Sequence, residues 1–200
     1  MELHPDKMSL LRTFIAVDVP QTIQKNIQHH VNNLRNSIRD SIRWVPVHNI
    51  HLTLKFLGDV SPANVDMLKQ MLSAEGASCP SFDFSVGGLG SFPNSKRARV
   101  LFIRIQAPAE LEALQHGIES ATTKLGYEAD TRPFSPHLTI GRVRDRISAT
   151  DQQRIHKTLE ETKIDSLGIA RVDSVHLYKS ELKPGGSVYT KLFSAPLQLS

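Results

Sequence analysis

The chain has 200 residues, which is enough to bury a hydrophobic core without disulfides or metal ions as additional supports. Its hydrophobic fraction of 40% and charged fraction of 22% are those of an ordinary globular protein, and they exclude a disordered tail, a collagen-like fibre and a disulfide scaffold. The formal net charge of +4 is compatible with a polyanionic partner but is equally typical of an ordinary basic surface.

The first half of the chain is predicted to alternate strands with helices. After a loose leader over residues 1–10, the apolar run 13–17 predicts a buried strand that ends before Pro20. Apolar residues at every third or fourth position from Ile23 to Ile38 predict an amphipathic helix over 20–38. Further along, the patterns predict an extended segment at 43–46, a strand at 50–57, a helix at 61–75 stopped by Gly76, a strand at 82–86 and a loop at 87–90.

The second half repeats this order of elements. The patterns predict a strand at 100–105, a helix at 109–125, a strand at 137–143, a helix at 149–162, a strand at 169–178, a turn at 183–186 and a last strand at 188–193. The halves are offset by 88 residues between Pro20 and Pro108, and by 86 residues between His51 and His137. Because only two copies are present, the pattern indicates a duplicated unit and not a repeat array.

The duplication predicts an α+β fold of two lobes. Each strand–helix–strand–helix–strand unit can form an antiparallel or mixed β-sheet with its helices on one face. We expect two such sheets, related by a pseudo-twofold axis, to face a central cleft while the helices cover the outer faces. No low-complexity linker separates the repeats, at about 11–90 and 97–180, so residues 1–200 are predicted to form a single two-lobed domain.

The same tripeptide lies at the centre of each repeat, as His51-Leu52-Thr53 and His137-Leu138-Thr139. One His-x-Thr sequence is a weak signal, but two identical copies at matching places in a duplicated unit are hard to obtain by chance. Side chains at i and i+2 of a strand share a face, so each histidine and threonine should face one way while the leucine enters the core. If the lobes face each other, two imidazoles and two hydroxyls converge on one cleft.

Two histidines across a cleft suit the cleavage of a phosphodiester. Such a reaction needs a base for the attacking oxygen and an acid for the leaving oxygen, and histidine serves as either near neutral pH. The hydroxyls of Thr53 and Thr139 would donate hydrogen bonds to the phosphate oxygens on which charge accumulates. A histidine on a strand is also a common structural residue, and duplication preserves structural residues too, so the residues alone leave both interpretations open.

The sequence gives little support for a metal or cofactor site. The single cysteine, Cys79, excludes an internal disulfide and a Cys-rich zinc site. No further ligand lies at metal-binding spacing from the paired histidines. The segment Gly87-Gly88-Leu89-Gly90 lacks the Gly-Lys-Ser/Thr ending of a phosphate-binding loop. We therefore expect chemistry without a metal or a cofactor.

Several stretches of the chain, in the same order, match one known family. The two tripeptides, with the apolar residue that follows each, resemble the paired His-x-Thr-x signatures of the two-histidine (2H) phosphoesterase superfamily. Within it, the chain resembles the bacterial and archaeal RNA 2′,3′-cyclic phosphodiesterases, formerly called 2′-5′ RNA ligases. The resemblance covers about residues 11–195 and is carried by the tripeptides and by the segments 12–20, 44–46, 49–58, 90–93, 134–137 and 177–182.

The resemblance implies hydrolysis of an RNA 2′,3′-cyclic phosphate end to a 2′-phosphomonoester in a two-lobed α+β fold, without a metal. It assigns the catalytic positions to His51 and His137 and the phosphate-binding positions to Thr53 and Thr139. By analogy, His51 is the acid that protonates the O3′ leaving group and His137 is the base that activates water. The sequence itself does not order the two roles.

Two further residues are candidates for contact with the substrate. Arg142 matches an arginine that the family has near its substrate. Strict strand alternation would turn Arg142 to the face opposite His137, unless a bulge at Gly141 changes its direction. Phe14, on the first strand, is either a ring that stacks on a base or a core residue.

The remaining expectations concern partners and location. The partner is an RNA or oligonucleotide with a 2′,3′-cyclic phosphate end, and the reverse reaction would join RNA through a 2′-5′ bond. A competing hypothesis is a non-catalytic module that binds such ends. No apolar run approaches the roughly 20 residues that span a bilayer, and no signal pattern opens the chain, so we expect a cytoplasmic monomer without membrane contact.

Overall fold

A computed structural model of the protein describes residues 10–198, and these form four α-helices and nine strands. The strands are β1 (Leu11–Asp18), β2 (Ile42–Trp44), β3 (His51–Val60), β4 (Phe82–Phe92), β5 (Val100–Gln106), β6 (His137–Val143), β7 (Ser166–Val172), β8 (Ser174–Lys183) and β9 (Gly186–Pro196). The helices are α1 (Gln21–Ile38), α2 (Val65–Ser78), α3 (Ala109–Lys124) and α4 (Ala149–Glu161). In this part of the chain, no helix has the length and apolar character needed to cross a membrane. The leader predicted at 1–10 lies outside the described residues, apart from Leu10.

The nine strands form one curled antiparallel sheet with the order β7-β4-β5-β6-β3-β1-β8-β9, and β2 pairs with β6. Its two halves, β7-β4-β5-β6 and β3-β1-β8-β9, join where Leu52 of β3 pairs with Leu138 of β6. These leucines hold equivalent places in the two repeats, and a residue pairs with its own equivalent where a twofold axis passes between them. The predicted α+β class and pseudo-twofold arrangement are confirmed, with the two expected sheets joined edge to edge.

The last strand of each repeat pairs in the other half of the sheet. β4, from the first repeat, pairs with β5 and β7 of the second repeat. β8, from the second repeat, pairs with β1 of the first. The helices are exchanged in the same way, because α1 packs against α4 and β7, whereas α2 packs against α3, β8 and β9. Each half of the sheet is therefore built from both repeats.

One hydrophobic core cluster lies between the helices and one face of the sheet. Leu52 and Leu138 belong to this cluster, together with the buried side of α1. That side is the stripe predicted from the sequence, and it consists of Ile23, Ile27, Val31, Leu34 and Ile38. The core fixes which face of β3 and β6 is buried and leaves their other face to the cleft.

The predicted stop of the second helix at Gly76 is wrong. A short 3-10 turn, Pro62–Asn64, precedes α2, which continues through the glycine to Ser78. A Cβ at position 76 would lie 2.8 Å from the carbonyl oxygen of Pro196, so the glycine is required by close packing against β9. Composition alone does not distinguish such a packing glycine from a helix-ending one.

Two predicted strand boundaries are also wrong. The segment 87–90, predicted as a loop, is part of β4, where the pairing with β5 is irregular between Val86 and Leu89. The single strand predicted at 169–178 is two strands, β7 and β8, with Asp173 between them. At this residue the chain leaves one half of the sheet and enters the other, and a continuous apolar pattern does not reveal such a crossing.

Candidate active site

The two tripeptides lie where β3 and β6 meet, at the junction of the two halves of the sheet. Burial alternates as predicted: Leu52 and Leu138 are buried, whereas the histidine and threonine on either side of each leucine are partly exposed. Because the strands are antiparallel here, each histidine lies on the side of the other tripeptide's threonine. The four polar side chains therefore project from one face, around the pseudo-twofold axis.

Both histidines are held by the same local hydrogen bond. Nδ1 of His51 lies 2.8 Å from the carbonyl oxygen of Asn49, and Nδ1 of His137 lies 2.6 Å from that of Ser135. A carbonyl oxygen only accepts, so Nδ1 must carry the hydrogen in both rings. Nε2 is then the nitrogen left to accept or donate a proton in the cleft.

Each histidine ring rests against a phenylalanine of the neighbouring strand. Phe14 of β1 stacks on His51 with ring centroids 4.7 Å apart, and the Phe102 ring of β5 lies 5.2 Å from His137. The two phenylalanines are not equivalent in register, because Phe14 pairs with Phe56 whereas Phe102 pairs with Thr139. Phe14 is only 3% exposed and also stacks on Tyr178, which supports its interpretation as a core residue beneath the histidine.

A glycine of β4, Gly90, leaves room for the Phe102 ring. A Cβ at Gly90 would clash with this ring, so a larger residue would displace it from beneath His137. Phe92 contacts the same pair of rings, 4.4 Å from Phe102 and 5.0 Å from His137 between centroids. These two phenylalanines, together with Ser135, line a cavity of about 690 Å³ beside the histidine.

A bulge in β6 determines where Arg142 points. Thr139 pairs with Phe102 and Gly141 pairs with Leu101, so Ile140 is an extra residue in β6. Ile140 and Gly141 are both buried, and the alternation resumes one residue late. Arg142 is consequently exposed on the face that carries His137 and Thr139.

β3 has an equivalent bulge with a different residue after it. Thr53 pairs with Ala16 and Lys55 pairs with Ile15, so one residue of β3 is again extra. Lys55 turns inward and donates hydrogen bonds from Nζ to Glu119 and to the Glu128 carbonyl oxygen, at 2.6 and 2.7 Å. The position equivalent to Arg142 is Phe56, which is 65% exposed. The cleft therefore has a cation on the His137 side and an aromatic ring on the His51 side.

Burial lowers the pKa of both histidines, but the charges beside them differ. For His51, the hydrogen bond to the Asn49 carbonyl and the Asp18 carboxylate oppose this lowering of the pKa. For His137, only the hydrogen bond to the Ser135 carbonyl opposes it, and the Arg142 cation lowers the pKa further. A negative charge favours protonated imidazole and a positive charge favours neutral imidazole.

Asp18 is held beside His51 by several contacts. It pairs with His51 across β1 and β3, and it accepts a hydrogen bond from the Tyr178 hydroxyl. Lys191 Nζ donates to Asp18 Oδ2 at 2.8 Å, and His176 Nε2 lies 3.4 Å from the same oxygen. Burial by itself raises the pKa of the Asp18 carboxyl, but the hydrogen bonds from Lys191 and Tyr178 hold this pKa below its ordinary value. The group is therefore a carboxylate at neutral pH.

Several residues of this site, among them Phe102, Asp18 and Tyr178, are absent from the sequence prediction. The duplication carries no signal for Phe102, because the register of the two strand pairs makes Ala16 its equivalent in the first repeat. Asp18 and Tyr178 lie in segments that carry the family resemblance, but they are 160 positions apart and meet only because β1 pairs with β8. Such a contact has no local sequence pattern.

The described residues provide neither a metal-binding cluster nor a reactive thiol at this site. Among residues 10–198, no group of three or more histidine, cysteine, aspartate or glutamate side chains is arranged to hold a metal ion. Cys79 is buried, its Sγ lies within hydrogen-bond distance of the Pro80 and Glu110 carbonyl oxygens, and burial raises the pKa of its thiol. Chemistry without a metal stays a prediction.

A duplicated α+β fold with a His-x-Thr motif at the centre of each repeat is the arrangement found in two-histidine phosphoesterases. Residues 23–184 match the family model of the 2′-5′ RNA ligase superfamily. The chain belongs to this superfamily, and the family predicted from the paired motifs is confirmed.

Similar proteins match over nearly their full lengths. The RNA 2′,3′-cyclic phosphodiesterase of Methanothermobacter thermautotrophicus is 28% identical over 182 residues, 91% of this chain and 96% of the relative. That of Methanocaldococcus jannaschii is 30% identical over 179 residues, 90% of this chain and 96% of the relative. The structure of TT0787 from Thermus thermophilus superposes with a TM-score of 0.79 at 25% identity, over 95% of this chain and all of that one (100%). The structure of Escherichia coli LigT complexed with 3′-AMP gives 0.73 at 28% identity, over 94% and 98%.

Proposed function

We propose that the chain hydrolyses RNA 2′,3′-cyclic phosphate ends to 2′-phosphomonoesters, with His51 as the acid, His137 as the base and no metal ion. One observation carries the proposal: each tripeptide offers one imidazole with its Nε2 free and one hydroxyl, around a single axis. The names of the similar proteins from Methanothermobacter thermautotrophicus and Methanocaldococcus jannaschii support the substrate.

In this reaction one bond to phosphorus forms and another breaks. A water oxygen attacks the phosphorus while neutral Nε2 of His137 takes a proton from the water. The P–O3′ bond breaks, and protonated Nε2 of His51 gives its proton to O3′. The product carries a 2′-phosphate and a free 3′-hydroxyl, and proton exchange with solvent restores both histidines.

The charges around the site support this assignment of acid and base. The Asp18 carboxylate favours the imidazolium form of His51, and Arg142 favours the neutral form of His137. Negative charge accumulates on the non-bridging phosphate oxygens as water attacks. The hydroxyls of Thr53 and Thr139 donate to these oxygens, and the Arg142 guanidinium neutralises part of the charge.

A cavity next to the site, walled by residues of β4, β5 and α4 and by neither tripeptide, offers space for the terminal nucleoside. The cavity beside His137, of about 690 Å³, is within the size range of small-molecule sites. Its wall of Phe92 and Phe102 offers apolar surface to the sugar or base. Phe14 supports the His51 ring from below, and we assign it a positioning role instead of a contact with the base.

The proposal also covers the domain organisation, the oligomeric state, the location and the reverse reaction. The two repeats together form one domain over residues 1–200, because one catalytic histidine comes from each repeat and each half of the sheet contains strands of both. A monomer in the cytoplasm is then sufficient for activity, with an RNA or oligonucleotide end as its partner. The same acid and base would run the reverse reaction, which joins RNA through a 2′-5′ bond.

The test is the product formed from a defined RNA that ends in a 2′,3′-cyclic phosphate, with EDTA in excess. We expect a 2′-phosphate end, identified by chromatography against both phosphomonoester standards. A 3′-phosphate end would show that the other P–O bond breaks. Activity lost in EDTA and restored by zinc would contradict the mechanism without a metal, and binding without turnover would favour the non-catalytic module.

A further inference from the structure

Two arginines lie directly opposite each other beside the site. Arg43 of β2 pairs with Arg142 of β6 in an antiparallel register. Opposite residues of such a pair project from the same face, with Cβ atoms about 5 Å apart. The preceding register pair, Ile42 and Val143, is buried at 3% and 6% exposure, so both guanidinium groups project from the open face.

No protein group in the described part of the chain compensates these two charges. Within residues 10–198, neither Arg43 nor Arg142 forms an ion pair or a side-chain hydrogen bond. The next exposed arginine, Arg144, does have an acceptor, since its Nε donates to the Asp40 carbonyl oxygen at 2.7 Å. Like charges directly opposite in a sheet are destabilising, so a bound anion would remove an unfavourable interaction here.

We propose that Arg43, beside Arg142, binds a second phosphate of the substrate: the phosphodiester on the 5′ side of the terminal nucleoside. The inference rests on the proposed function, because an RNA end closed as a 2′,3′-cyclic phosphate carries its next phosphate at the 5′ oxygen. The β6 bulge puts Arg142 on the face of the catalytic residues, and Arg43 extends this positive surface onto the neighbouring strand. The site therefore selects RNA chains over single nucleotides.

Two substrates of equal size, which differ only in the charge of this phosphate, measure its contribution to the reaction. Both are dinucleotides ending in a 2′,3′-cyclic phosphate, one with the natural charged linkage and one with an uncharged methylphosphonate linkage. The wild-type chain should prefer the charged linkage in kcat/KM by about tenfold, as expected for a solvent-accessible guanidinium–phosphate contact. Arg43→Ala should reduce this preference to nearly one, and Arg43→Lys should retain part of it.

Arg99 provides the matched control. It is also an exposed arginine next to β6. Its carbonyl oxygen accepts a hydrogen bond from the Val143 N–H at 2.9 Å, so Arg99 lies opposite Val143 in the register. The Arg99 side chain therefore projects from the face opposite to that of Arg142. Arg99→Ala removes the same charge and should leave the preference for the charged linkage unchanged.

The outcomes separate this inference from the proposed function. If wild type hydrolyses both dinucleotides equally well, or if Arg43→Ala loses the same factor on both, Arg43 does not bind the second phosphate. If wild type hydrolyses neither, the proposed function itself fails and this inference with it. Arg43→Ala should melt no lower than wild type, because it removes one of two opposed cations, and a marked loss of stability would indicate a structural role instead.

Discussion

The two halves of the cleft share their geometry and differ in their charges. In each half, a carbonyl two residues earlier holds the histidine Nδ1, a phenylalanine supports the ring and a bulge follows the threonine. Beside His51 lies the Asp18 carboxylate, whereas beside His137 lies the Arg142 cation. At the position after the bulge, one half has exposed Phe56 where the other has Arg142.

This difference shows how a symmetric duplication can perform an asymmetric reaction. Two histidines in identical surroundings would have the same pKa, and neither would be preferred as acid or base. Phosphodiester hydrolysis requires an unlike pair, one protonated and one neutral. Here the duplicated backbone fixes the positions of both rings, and a few unlike neighbours assign their protonation states.

The largest expected effect tests the shared geometry. His51→Ala and His137→Ala should each lower kcat/KM on a cyclic-phosphate RNA by a factor of about 10² to 10⁴, the range for acid–base groups. Both variants should keep the wild-type circular dichroism spectrum, because neither histidine belongs to the core cluster. Near-wild-type turnover by either variant would contradict the two-histidine mechanism.

A smaller and equal effect is expected from the threonines of both halves. Thr53→Val and Thr139→Val keep the shape of the side chain but remove the hydroxyl that faces the phosphate. A hydrogen bond to a charged group contributes about 1.5–3 kcal/mol, so the initial rate should fall by about one to two powers of ten.

The leucines between these residues are the matched controls for the threonine variants. Leu52→Thr and Leu138→Thr each place a hydroxyl in the hydrophobic core, so they should lower the melting temperature while the folded fraction keeps its chemistry. Loss of catalysis in the leucine variants, with catalysis retained in the threonine variants, would mean that the strand faces are assigned backwards.

Sequence patterns predict the common frame of the two halves better than their differences. The buried stripe of α1 and the alternation in His51-Leu52-Thr53 are local, because helical and strand periodicity place neighbouring residues on known faces. The duplication then places the second tripeptide without any knowledge of the sheet. The sequence does not settle the direction of Arg142, because that direction depends on a bulge that alternation does not predict.

The differences between the halves depend on contacts between distant segments. Asp18 meets Tyr178 and Lys191 only through the exchange that pairs β8 with β1. The same exchange ends β7 at Val172 and explains why the apolar pattern predicts one long strand there. The glycines of β4 look like a loop in composition, but Gly90 is required by the ring of Phe102, a residue from another strand. Local propensity carries no information about such partners.

The variant with the smallest expected change in maximal rate, Asp18→Asn, tests the difference in charge between the surroundings of His51 and His137. Activity should have a bell-shaped dependence on pH, because one histidine must be neutral and the other protonated. If His51 is the acid, activity falls as pH rises through its pKa, which gives the alkaline limb of the profile. Asp18→Asn removes the negative charge that raises this pKa, so the alkaline limb should move to lower pH while the maximal rate changes little.

Two further variants determine whether the shift arises from the local charge. Lys191→Met removes the cation bound to the Asp18 carboxylate, so the alkaline limb should move to higher pH, opposite to the effect of Asp18→Asn. Asp66→Asn removes an exposed carboxylate of α2 that pairs with Lys69, and it should move neither limb. If Asp18→Asn moved the acidic limb instead, His51 would be the histidine with the lower pKa, and therefore the base. A profile unchanged in both Asp18→Asn and Lys191→Met would mean that these charges do not assign the roles, although the duplicated frame would remain.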